Sequence, residues 1–482
     1  MKKLYIILVI AVLGSFTSCK NFLDVEPTDS GDSETSLQTT NDAKVRINGI
    51  MRKMSNGLYY GRNFPLYADA KGGDLAVFSK GRGYDYLYEF NHSESSNAYS
   101  GVWTQSYNII AQINNLLENI ERLEASGNTD DFSVYKGQAL TARAIVYFDL
   151  VRLYGKAYND DKSAYGVPNI THTLQADAQE LRVSVEENYK QIMDDLLAAV
   201  SLLPKTKVNG NINYYANKAM QARVHLYKEE YKDALTAAEE IINSGAYTLY
   251  TNSNWVDSWE EEFANESIFE LAILPSEGDL GTSSLGAYYR RNQHGGGSYL
   301  GNFLASDAFI ERLEEDPDDI RFGVMDLDET GRLGSLYKYS GSVERVNKGE
   351  ENSTALNIKV IRLSEIYLIA AEAALDSDKE KAATYLNEIR KRSPNLSAAT
   401  QSSVNLKMIQ EERSKELFGE GHRFFDMIRW NEPITFNDEL GNLSVTHREK
   451  TIDRSFHKTI LPIPLDEILA NPKIKEQQNP GY

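Results

Sequence analysis

The sequence predicts a mainly α-helical protein, in which packed helical hairpins support an irregular, loop-rich half with a few short strands. Three observations predict it. Between Asn217 and Gly245, Tyr231, Ala234, Leu235, Ala238, Ile241 and Ile242 recur at the spacing of one buried helix face. They follow an alanine-rich helix, NKAMQARVHLY, whose backbone a neighbour can approach closely. Between Ile361 and Lys391 the arrangement returns: Leu363, Ile366, Tyr367 and Ala370 mark one helix, and Ala382, Tyr385, Leu386 and Ile389 the next. The third observation is the stretch between these copies. From Tyr247 to about Asn357 the helical rhythm stops, replaced by Trp255, Trp259, the strand-like SIFELAI and a glycine-rich run.

In chain order, MKK and the apolar run Leu4 to Phe16 are too short to span a bilayer, and they end in FTSC. This resembles a bacterial lipoprotein signal, cleaved before Cys19, the chain's only cysteine, which then carries the acyl chains. Residues 1–18 are thus expected to be a signal peptide and 19–40 a lipidated tether. Residues 41–482 read as a single domain, with helical repeats at about 100–245 and 357–430 around an insert at about 246–356. Asn41 and Asp42 can cap a helix running to Met54. Tyr59 to Tyr99 reads as loop, and a loop this long in a compact domain points to function. Helices follow at Trp103 to about Leu123, about Ser133 to Tyr154, and Val185 to Leu203, the last with Ser184 and Glu187 as a capping box and Pro204 beyond it. The two hairpins cannot bury their apolar faces alone; stacked, they can, which is the logic of tetratricopeptide-like repeats. Val404 to Leu417 and GEGHRFFDMIRW continue the helical part.

Composition narrows the function. Of 482 residues, 41% are hydrophobic and 25% charged, as in an ordinary globular protein. A net charge of −19 without a basic stretch argues against nucleic acid, whose phosphates need clustered Lys and Arg. The 29 tyrosines stand out, since each offers an apolar face with a polar rim, suited to sugar rings or peptides. The histidines lack H-x3-H or HExxH spacing, and no cofactor or metal is expected. Asp326, Asp328, Thr330 and Gly331 begin like a calcium loop, but Tyr337 stands where a bidentate Glu belongs, so a turn is expected. Gly295 to Gly297 lacks the Lys of a phosphate loop, and no G-x-S-x-G elbow is present. Arg413, Glu416, Arg423, Asp426 and Arg429 alternate with apolar residues, which suits buried ion pairs locking a helix–turn–helix better than acid–base catalysis. Gly421 supplies a backbone conformation closed to other residues.

The run IQEERSKELFGEGHRFFDMIRW carries Glu412, Arg413, Glu416, Leu417, Glu420, Gly421, Arg423, Asp426, Arg429 and Trp430 in the pattern of the SusD/RagB family. CKNFLDVEP, VWTQSYNIIAQINNLL, YGVPNIT, ARVHLY, IRLSEIYLIAAEA and the ending LPIPLDEILANPKIKEQQNPGY follow the family's order, so the chain from 19 to 482 resembles these surface lipoproteins of Bacteroidetes. The resemblance implies a non-enzymatic receptor, lipid-anchored in the outer membrane through Cys19 and facing the exterior, with Asp24 and Glu26 as export signal. It implies binding of a nutrient, foremost an oligosaccharide, and delivery to a SusC-type TonB-dependent transporter. An oligopeptide ligand, a surface glycosidase and a repeat scaffold are the competing readings. The family's loops place the ligand at Tyr84, Tyr86, Tyr88, Asn91 and Tyr99, then Tyr288, Tyr289, Arg290, Arg291, Asn292 and Tyr299. Asp69 and Asp74 either line the same cleft or fix the turn.

Overall fold

A computed structural model describes residues 37–81, 84–95, 100–274, 283–291, 300–328, 330–339 and 356–482. The signal peptide, Cys19 and most of the tether lie outside them, as do Tyr99, Asn292 and Tyr299.

The first helix, α1, is Thr40–Met54. Its cap is Thr39 rather than Asn41 or Asp42: the Thr39 hydroxyl accepts the Asp42 N–H, and the Asp42 carboxylate accepts the Thr39 N–H at 2.9 Å. Asp42 thus closes the box from inside the first turn. The segment expected to be loop holds α2 (Asn63–Ala70), β1 (Leu75–Val77) and the single turn α3 (Asp85–Tyr88). All eight residues of α2 are buried, so it shows no polar face and no period. Next come α4 (Ser100–Ala125), α5 (Ser133–Tyr154), the short α6 (Tyr158–Asp161) and α7 (Val185–Val200), the last with the expected Ser184–Glu187 box. The first hairpin is α8 (Tyr214–Tyr227) and α9 (Tyr231–Ser244), closed by Gly245 in the left-handed conformation.

The insert contributes β2 (Ser267–Leu271), α10 (Leu285–Tyr289), β3 (Phe303–Ala305), α11 (Asp307–Leu313), β4 (Met325–Leu327) and β5 (Leu333–Leu336). After β6 (Ile358–Arg362) come the second hairpin, α12 (Leu363–Ala374) and α13 (Lys379–Arg390), then α14 (Leu406–Glu416) and α15 (Arg423–Trp430). The tail carries β7 (Ile434–Thr435), β8 (Thr451–Ile452) and α16 (Leu465–Ala470). Among the described residues the strands form antiparallel pairs, β1 with β3, β2 with β6, β4 with β5 and β7 with β8. Between β4 and β5, the Asp328 carboxylate accepts the Thr330 and Arg332 N–H groups at 2.8 and 3.0 Å, the geometry of a plain Asx-type turn.

Helices pack in sequence as a layered array: α1 on α4, α4 on α5, α5 on α7, α7 on α8, α8 on α9. Then α9 packs directly on α12, so the insert loops out of an otherwise continuous spine of helices. Buried Ala216, Ala219 and Ala222 of α8 and Ala370, Ala371 and Ala374 of α12 permit the close approach. One large core spans both halves, and a smaller one, around Leu368, Leu386, Ile389 and Ile409, ties α12 to α13 and α14. Each such fully buried side chain is worth roughly 1.5–3 kcal/mol against exposure.

Candidate functional site

Two loop systems meet in the irregular half, one of residues 78–81 and 84–91, the other of residues 283–291 and 300–302. The Phe78 N–H donates to the Asn302 carbonyl at 2.7 Å, and the Asn302 amide donates to the Ser79 carbonyl at 3.0 Å. The Leu285 N–H donates to the Gly61 carbonyl at 2.9 Å, which binds the second loop to the turn before α2. At their junction the Tyr84 ring meets Tyr288 edge-on at 4.8 Å, and the Arg62 guanidinium lies 5.1 and 5.6 Å from the two rings. The Tyr84 hydroxyl donates to Asn63 Oδ1 at 2.9 Å, and burial pushes its pKa up to about 12, keeping it a neutral donor.

The candidate side chains divide by exposure. Tyr84, Tyr88, Tyr288, Tyr289 and Arg290 are all buried, so in this conformation their faces are occupied by protein. Tyr86 is 48% exposed, because the single turn of α3 sends Leu87 and Tyr88 inward and leaves Tyr86 outward. Asn91 and Arg291 are half-buried. The Asn91 N–H donates to the Tyr86 carbonyl at 2.8 Å, fixing one beside the other. The Arg291 guanidinium sits 4.6 Å from the Phe78 ring and donates to the Gly301 carbonyl at 3.1 Å. An outward phenol ring, an amide and a guanidinium on cross-tied loops can stack on a sugar's C–H face and bond its hydroxyls. Sequence reasoning passed over Arg62 and Phe78, which support this rim; nothing in their local pattern marks them.

Asp69 and Asp74 fix structure beneath the rim. Asp69 Oδ2 accepts the Tyr289 hydroxyl at 3.0 Å and the Gly421 N–H at 2.9 Å, and burial pushes this carboxyl up to about 8. Asp74 is also buried, but Arg312 at 3.0 Å and Arg423 Nε at 2.9 Å hold it below its usual range. Gly421 adopts φ +84°, and a Cβ there would lie 2.8 Å from Pro65 Cα.

The charged helix–turn–helix is a buried ion-pair layer. Arg413 donates to Asp426 at 2.6 Å, and Arg429 donates to Asp426 at 2.9 Å and to Glu372 at 2.8 Å. Arg362 bridges Glu416 at 3.1 Å, Glu266 at 3.0 Å and both oxygens of Glu420 at 2.7 Å. Arg223 of α8 forks onto Glu365 of α12 at 2.8 and 2.6 Å, across the seam between the two helical stretches. Such planar forks are the strong form of a charged hydrogen bond. Among the described residues, His225, Glu230 and Asp233 are close enough to share a metal ion, but Lys228 already holds Glu230 at 2.6 Å.

No helix among the described residues is long and apolar enough to cross a membrane. Residues 326–482 match the model of the SusD family, and residues 21–226 match a model described as "Starch-binding associating with outer membrane". SusD-like protein P25 of Formosa agariphila is 24% identical over 550 residues, covering 100% of each chain. A solved structure described as "Laminarin binding SusD-like protein" is 24% identical, covers 92% of this chain and 99% of that one, and superposes with a TM-score of 0.71. A solved SusD superfamily protein from Bacteroides thetaiotaomicron is 33% identical, covers 92% of this chain and 100% of that one, and gives a TM-score of 0.83. With that identity held along nearly its whole length, and the charged helix–turn–helix inside the matched C-terminal model, this chain belongs to the SusD superfamily.

Proposed function

We propose that this protein captures an oligosaccharide without cleaving it and passes it to a SusC-type TonB-dependent transporter. It would do so at the outer face of the outer membrane, tethered through acylated Cys19. The observation that carries the reading is the exposed Tyr86 ring, with half-buried Asn91 beside it and half-buried Arg291 on the second loop, on loops tied together over a buried aromatic base. A preformed rim binds without paying for loop ordering. The family's description as starch-binding and outer-membrane-associated, and the relative named for laminarin, favour a glucan-like ligand. Asp69, the acid beneath the rim, is buried and accepts the Tyr289 hydroxyl and the Gly421 N–H, a framework role rather than that of a free general acid. The helical spine offers a rigid body for docking against the transporter.

Isothermal titration against laminarin, starch oligosaccharides and a peptide pool tests the ligand. Glucan binding that weakens in Tyr86→Ala and Arg291→Ala supports the rim. Binding of peptides alone overturns the sugar reading, and new reducing ends after incubation overturn the non-catalytic one. Mass spectrometry finding Cys19 unmodified in the mature protein removes the lipid anchor.

A further inference from the structure

A second cavity, of about 430 Å³, opens between α4, residues 168–180 and α16, and neither Tyr86, Asn91 nor Arg291 lines it. That volume lies within the roughly 300–1,000 Å³ typical of small-molecule sites. Its walls are apolar: Ile110 of α4, Pro168 and Ile170 of the loop, and Ala470 of α16 flank Trp103 and Tyr107, whose rings stand 4.8 Å apart. The polar groups of both rings are already engaged. The Trp103 Nε1–H donates to Glu467 Oε2 at 3.1 Å, and the Tyr107 hydroxyl donates to the Pro168 carbonyl at 3.0 Å. The rings therefore offer the cavity carbon and π surface.

The acids facing this cavity are unmatched. Asp177, Glu180 and Glu467 line it, and among the described residues none of the three has an ion-pair partner. No lysine or arginine is among its described lining residues; His172 lines it and is exposed. Arg182, whose charge acts on Tyr107 from outside the lining, is buried and gives its N–H groups to the backbone carbonyls of Tyr154, Tyr165, Gly166 and Gln477. Lys473 and Lys475, just past α16, are exposed and stand outside the lining. Asn471, on the same cavity wall, adds an acceptor to the three acids. It is 3% exposed, and its Nδ2 donates to the Glu180 carbonyl at 2.6 Å, which fixes the amide. Its Oδ1 is left with no hydrogen-bond partner among the described residues. Leaving a buried acceptor unmatched is unfavourable, and a donor brought by a ligand relieves it.

We infer that this cavity is a second ligand site, separate from the loop rim, for an organic cation: a protonated amine carried on a flat apolar body. The body would lie against Tyr107 and the aliphatic wall, and the ammonium N–H groups would donate to the carboxylates and to Asn471. Acids gathered beside an apolar wall select a ligand of opposite charge. A neutral molecule would cover the carboxylates without offsetting them, and an anion would add repulsion. A cation gains besides from the π faces. No bond is made or broken in the process.

The test is titration calorimetry of the mature protein with tryptamine. Tryptophol replaces the ammonium by a hydroxyl, indole-3-propionate replaces it by a carboxylate, and ethylamine lacks the ring. Tryptamine is expected to bind at least roughly tenfold more tightly than each of them, the scale of one charged hydrogen bond. The triple variant Asp177→Asn, Glu180→Gln, Glu467→Gln, at exposed or half-buried positions, should lose at least roughly tenfold in affinity. Ala470→Trp, at an exposed wall position, should lose as much by filling the cavity while every acid remains. Tyr86→Ala should leave tryptamine affinity unchanged. Equal binding of tryptophol or indole-3-propionate overturns the selection for a cation, and equal binding of ethylamine overturns the apolar wall. Absence of tryptamine binding, full affinity in either cavity variant, or its loss in Tyr86→Ala overturns the site.

Discussion

The helix–turn–helix of α14 and α15 and the loop rim at Tyr86 both combine aromatic rings with arginine, put to opposite uses. In the first, Arg413, Asp426, Arg429 and Glu372 are buried and bind one another in turn. In the second, Tyr86 faces outward while its neighbours Tyr84 and Tyr88 are packed away. The contrast teaches that burial with reciprocal partners, rather than residue type, separates framework from contact surface here. Arginine in the framework has a prescribed partner; tyrosine at the rim has only a prescribed direction.

Breaking the framework should have the largest effect. Glu365→Ala strands Arg223 in the core and removes a carboxylate 3.6 Å from Arg413. It is expected to cost about 3–5 kcal/mol in urea unfolding, as removal of one partner of a buried pair does. Replacing Arg223 and Glu365 together by Met and Leu should cost much less, because no charge is left alone. Next in size is Gly421→Ala, where a positive φ meets a close approach to Pro65. A loss of about 1–3 kcal/mol is expected, read from the denaturation midpoint.

A pH-dependent effect tests the contact between the two regions. Asp69, whose carboxyl is raised from 3.8 to about 8, holds its proton more tightly in the folded state than in the unfolded one. Its contribution is therefore complete below pH 3.8 and is lost as pH rises through about 8. Asn at this position mimics the protonated acid without titrating. Across that window, wild-type stability measured against Asp69→Asn should fall with rising pH; a flat difference would mean that Asp69 is charged in the fold. The smallest effect on stability belongs to the rim. Tyr86→Ala should shift unfolding by no more than about 0.5 kcal/mol. Yet it should weaken glycan binding by roughly tenfold, since one aromatic contact is worth about 0.5–1.5 kcal/mol. A large stability loss there would erase the distinction between the regions.

The sequence was legible where a residue's job repeats along a helix or is set by its immediate neighbours. The span Ser133–Tyr154, the Ser184–Glu187 box and the Gly245 stop could all be read from local pattern, and the structure has them. It was illegible in α2, where burial on every side removes the polar stripe that reveals a helix. The cap of α1 falls at Thr39 because four adjacent polar residues, Thr39 to Asp42, could each have served, and only the backbone's entry angle chooses. The candidate site was harder still. Which way a tyrosine faces in a single helical turn depends on what packs below it, and for Tyr84 that is Asn63, Arg62 and Tyr288, all distant from its own loop pattern.

The seam at which α9 meets α12 has a consequence for engineering. Because the spine closes on itself without the intervening residues, those residues behave as a cartridge. The cartridge is nevertheless keyed: Arg321 engages Glu412 at 2.7 Å, Lys338 engages Glu420 at 2.9 Å, and Glu266 engages Arg362 at 3.0 Å and Arg392 at 2.9 Å. Chimeras that transplant residues 246–356 from a relative should fold when the donor brings Glu266, Arg321 and Lys338 as a set. A donor lacking any one of them would remove one ion pair between cartridge and spine, whatever sugar its loops prefer.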